Sequence, residues 1–73
     1  MTQVSQEYID GIVEARSFLK ANPYTTIDNM RVHFENAKAL QASHSGAMKQ
    51  YFKGQADFWK NQINQNHFLN GEK

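Results

Sequence analysis

His33, His44 and His67 are the residues best suited to bind a metal or move a proton. Their spacing argues against both roles. No two of them stand three or four positions apart, so no helix presents two imidazoles on one face. His44 falls near the edge of an apolar stripe and reads as a bundle-edge histidine bonded to a neighbour. Its charge changes in the physiological range, which would make an assembly pH-sensitive. The triplet "SHS" at 43–45 places an imidazole between two hydroxyls. Sequence neighbours on a helix point in different directions, so this is a cap or loop and not a nucleophile–base pair. Glu7, Asp10 and Glu14 are helix-spaced carboxylates that suit a solvated face near a positive helix end better than an acid–base pair. The chain has neither a glycine-rich phosphate loop nor zinc-finger spacing. The reading is a non-enzyme with no cofactor and no metal.

One further stretch has chemical potential. Residues 50–60 read "QYFKGQADFWK", with Tyr51, Phe52, Phe58 and Trp59 interleaved with Lys53 and Lys60. Such interleaving is either a platform for bases or the apolar stripe of a helix with a cationic border. On a helical wheel the four rings span about 120°, and Lys49, Lys53 and Lys60 fall on one line at the edge of that arc. That pattern favours a buried face bordered by snorkelling lysines. The three lysines remain available as a positive ridge for an acidic partner or DNA.

These residues need elements to hold them. Val4, Tyr8, Ile12, Ala15 and Leu19 share an arc of about 80°, which predicts an amphipathic helix over roughly 3–21. Ile9 and Val13 form a narrower strip on its flank. Gly11 costs about 1 kcal/mol relative to Ala in a helix interior. It either permits close backbone approach or is a tolerated weakness. Pro23 turns the chain, because Asn22 before it is biased away from helix. Thr25 followed by Asp28 resembles a capping arrangement, so a second helix is expected from about residue 25. Ile27, Met30, Phe34, Ala37, Met48, Phe52, Trp59 and Ile63 would all lie within about 80° on one unbroken helix. Phase therefore favours a single long helix over about 25–66, bent near Ser43–Gly46. The competing reading is two helices with Ser43 or Ser45 as N-cap. Asn70-Gly71 looks like a terminator, and the tail 67–73 is expected to fray.

A helix over 25–66 would be ~63 Å long, against ~28 Å for residues 3–21. The short helix could not cover the aromatic second half, and exposed apolar patches of that size mark interaction sites. The expected fold is therefore all-α: a single-domain helical hairpin over residues 1–73 that pairs into a dimeric bundle. Self-association would run through Phe34, Met48, Phe52, Phe58, Trp59 and Ile63. Gln41 and Gln55 lie within the stripe, where polar residues can fix register.

Composition sets the remaining bounds. The chain has 73 residues, no cysteine and a formal charge of +1 from eight basic and seven acidic residues. So small a core rarely nets more than ~3–5 kcal/mol without disulfide, metal or partner. A near-neutral balance gives no strong case for a polyanion. The first residues lack the basic start and apolar run of a secretion signal, and no apolar run approaches the ~20 residues of a membrane span. The expected location is the cytoplasm. The alternative to a protein-interaction role is a small DNA-binding regulator using a helix–turn–helix-like segment. There Arg31 and Lys38 would face phosphates, but Asp28 and Glu35 dilute the charge.

The stretches "YTTIDNMRVHFENAKAL" and "AMKQYFKGQADFWKNQI", with their helical leader, resemble the small early proteins of lambdoid bacteriophages encoded between the exonuclease and excisionase genes. The resemblance covers most of the chain and implies a helical, self-associating protein. It further implies binding to a host protein and a bias toward lytic development, in the host cytoplasm, without catalysis.

Overall fold

The computed structural model describes residues 4–69, with side chains described to residue 65. Three helices follow one another: α1 (Gln6–Ala21), α2 (Ile27–Ser43) and α3 (Gly46–Leu69). The all-helical class agrees with the sequence. The single helix over 25–66 does not exist. The chain leaves the helix at His44 (φ −125°, ψ 167°), and Gly46 adopts φ +63°. That left-handed conformation is costly for any residue with a Cβ, which is what Gly46 supplies here. Ser43 is not an N-cap. Its hydroxyl donates to the Leu40 carbonyl (3.1 Å), and the His44 ring Nδ1 meets the same oxygen at 2.7 Å. "SHS" thus closes the end of α2 and satisfies a carbonyl that the helix leaves orphaned.

The break changes the architecture. At ~1.5 Å per residue, α1, α2 and α3 run ~24, ~26 and ~36 Å, and α3 folds back far enough to pack against both other helices. His44 meets Phe52 and His33 meets Trp59, so α2 and α3 run antiparallel. α1 reaches α2 where Phe18 meets His33, with ring centroids 4.6 Å apart.

Helix starts follow local capping. Ser5 accepts from the Tyr8 N–H and opens α1, a little later than expected. The cap of α2 is Thr26, one residue beyond the expected Thr25, and it accepts from the Asn29 N–H at 3.1 Å. Thr25 instead donates its hydroxyl to the Asn22 carbonyl at 2.6 Å. At the other end α3 continues to Leu69, into the stretch expected to fray, and residues 70–73 lie outside the described residues.

The core is thin. Ala15, Met30, Ala37, Ala56 and Trp59 are buried, and among the described residues no large side chain is fully enclosed. Leu19, Phe34, Phe58 and Ile63 pack around the Ala15–Met30–Trp59 centre. Trp59 is only 3% exposed, with Phe18 edge-on at 6.0 Å and His33 stacked at 4.7 Å. Of the rings expected to stand exposed on an over-long helix, Trp59 is buried and Phe52 and Phe58 are half-buried within one subunit. Of the six expected self-association residues, Phe34, Phe52, Phe58 and Ile63 are half-buried, Trp59 is buried, and Met48 remains 47% exposed.

Compactness also comes from backbone contact. A Cβ at Gly11 would overlap the Tyr51 carbonyl oxygen, and one at Gly54 would overlap the Tyr8 carbonyl oxygen. The two glycines let α1 and α3 cross with their main chains touching. Of the two readings open for Gly11, close approach is the one found.

Candidate interaction surface

The lysine line divides into separate environments. Lys53 pairs with Asp57 at 3.5 Å and lies over the Tyr8 ring, 5.4 Å from its centroid. The same Asp57 oxygen accepts a 2.6 Å hydrogen bond from the Tyr8 hydroxyl. That bond, then burial and the carboxylate's charge, push the Tyr8 pKa up to about 12. The trio ties α1 to α3 and makes Tyr8 a poorer acid, which suits a structural clasp and not proton transfer. Lys49 is exposed, and Lys60 stands with Arg31 beside the α2–α3 groove. The three lysines thus differ in setting, Lys53 held by Asp57 and half-buried, Lys49 and Lys60 exposed.

The other chemical candidates are also dispersed. His33 stacks on Trp59 and meets Phe18 edge-on, and His44 caps a helix, while the His67 side chain lies outside the described ones. Asp10 accepts from the Gln6 amide at 2.9 Å. Glu14 lines a small pocket beside Trp59 and acts on Tyr51 across the α1–α3 seam. Burial first, then the Glu14 charge, raise the Tyr51 pKa, with a Gln55 hydrogen bond opposing. Among the described residues no three histidine or acidic side chains are grouped to hold a metal ion. Nor is any described helix long and apolar enough to cross a membrane.

A different surface emerges at the α1–α2 turn. Tyr24 is 94% exposed at the tip of the connection. The backbone beneath it is fixed. The Asn22 N–H and side-chain amide both donate to the Phe18 carbonyl (2.9 Å each), and the Thr25 N–H and hydroxyl both donate to the Asn22 carbonyl. Pro23 removes further freedom by locking its own φ. Next to Tyr24 lies an open pocket of about 410 Å³, with Phe18, Asn29 and His33 among its walls. Ring faces, an amide and an imidazole thus share one concavity. Such a set can grip a side chain or a peptide edge, but it offers no activated nucleophile, since the Thr25 hydroxyl is engaged by the turn itself. Sequence reasoning placed the turn but did not single out Tyr24. The signal available was an aromatic residue between Pro23 and Thr25, where no helix face could bury it.

No family model matches the chain, and neither a curated protein nor a solved structure matches it.

Proposed function

We propose that the chain is a non-enzymatic protein-interaction module that binds a host protein through its α1–α2 end and biases phage infection toward lysis. One observation carries the reading: a tyrosine 94% exposed on a turn fixed by the hydrogen bonds of Asn22 and Thr25. Tyrosine is enriched at binding hot spots, and a pre-ordered turn has little freedom left to lose on association. A cytoplasmic site of action and the resemblance to lambdoid early proteins belong to the same proposal. DNA binding is the second reading, favoured by the α1–turn–α2 unit with Arg31 and Lys38 exposed on α2.

Replacing Tyr24 by the photoreactive analogue benzoylphenylalanine in host cells tests the choice. Irradiation should yield one discrete protein adduct, and a Tyr24→Asp chain with unchanged helicity should no longer retrieve that protein. An adduct to nucleic acid alone, or none, contradicts the proposal. Duplex retardation with a steep salt slope would support the regulator instead.

A further inference from the structure

The groove between α2 and α3 has a composition that the Tyr24 end lacks. Half-buried Phe34 and Ile63 form an apolar floor in a depression of about 240 Å³. Arg31 from α2 and Lys60 from α3 stand on its walls, both exposed, with Glu35 the one carboxylate among the lining residues. Among the described residues the only ion pair is Lys53–Asp57, so no described acidic side chain pairs with Arg31 or Lys60. Arg31 sits about 160° around α2 from His33, which places this groove on another face from the Tyr24 pocket.

We infer that this groove is a docking surface for an acidic amphipathic segment of a partner protein. An aliphatic or ring side chain settles on the Phe34–Ile63 floor, and carboxylates a turn away on either side meet Arg31 and Lys60. This is the helix-in-groove mode with charges setting register at the rim. Nucleic acid fits less well: it presents phosphate rows and gains nothing from an apolar floor. The inference rests on the reading of the chain as an interaction module but not on Tyr24.

The test uses the full chain and three probes. One is a 16-residue amphipathic peptide with leucines at i, i+3, i+4 and i+7 on a glutamate background. The second carries lysine in place of every glutamate, and the third is heparin. The glutamate peptide should bind saturably and shift the NMR signals of Phe34 and Ile63. The double variant R31E/K60E should weaken it about tenfold, in the range expected for paired rim charges. R31Q/K60Q should give an intermediate loss and keep the wild-type unfolding midpoint. The lysine peptide should not bind. No saturable binding, equal binding of the lysine peptide, displacement by heparin at equal charge, or indifference to R31E/K60E overturns the inference. Tyr24→Asp should leave peptide binding unchanged. Loss of the Tyr24 adduct with peptide binding intact would therefore remove only the turn reading, and the converse would remove only the groove.

Discussion

Where α1 crosses α3, Gly11 meets the Tyr51 carbonyl and Gly54 meets the Tyr8 carbonyl, so the two main chains approach with no side chain between them. Where α2 runs beside α3, contact is made by larger side chains: His33 on Trp59, His44 on Phe52, and Phe34 and Ile63 on the central cluster. The first seam is closed where the main chains cross. The second leaves a groove with an apolar floor and charged walls. A short chain has too few large side chains to fill two interior seams. Close backbone packing at one of them compensates through dispersion contacts, and the other retains a concave surface open to a partner.

Three substitutions bear on that contrast. Trp59 serves both seams, through Phe18 and His33, so Trp59→Ala should lose about 3–5 kcal/mol and abolish cooperative unfolding in a chain this small. A mild loss would mean that the seams stand independently. Gly11→Ala and Gly54→Ala separate the crossing from ordinary helix preference. On an isolated helix each would gain about 1 kcal/mol. Here each should lose about 1–3 kcal/mol, because the new methyl forces the main chains apart. Thermal unfolding gives the sign directly, and a stabilised variant would contradict the close crossing.

The smallest expected effect belongs to the clasp at the same seam. Tyr8→Phe removes the bond to Asp57 and should cost about 1 kcal/mol at neutral pH, at the low end for a charged acceptor because solvent screens it. The pH dependence has a definite sign. The folded pKa lies above the unfolded one, so the contribution is complete below about pH 10. It is lost as pH rises through about 12. The stability gap between wild type and Tyr8→Phe should close over that interval, and a constant gap would show that the bond is not its source.

Much of the fold was legible because apolar period reports which residues face a core. Ala15, Met30, Ala37 and Trp59 all lie on the stripes read from spacing. Continuity was not legible. The wheel phase of Ile27–Ala37 carries over to Met48–Ile63 because both segments turn their apolar sides to one shared core, and a break of a few residues can preserve phase. The polar run ending in Gly46 was the local sign of that break. Gly54 was missed because a glycine inside an aromatic stretch reads as a gap in the stripe, whereas its meaning lies in the backbone of α1. Tyr24 was missed because hydrophobic period says nothing about a residue in a turn. The groove was half visible: Lys60 was read as part of a ridge, but Arg31 joins it only once α2 and α3 lie side by side.

Ring-to-ring nuclear Overhauser contacts between His33 and Trp59, recorded on a mixture of isotope-labelled and unlabelled chains, test the closed subunit most directly. The centroids are 4.7 Å apart in one chain, so the contact should appear within each labelled molecule at every concentration and vanish from the filtered intermolecular spectrum. Contacts seen only between labelled and unlabelled chains, or none at all, would mean that α3 does not fold back onto its own α1 and α2.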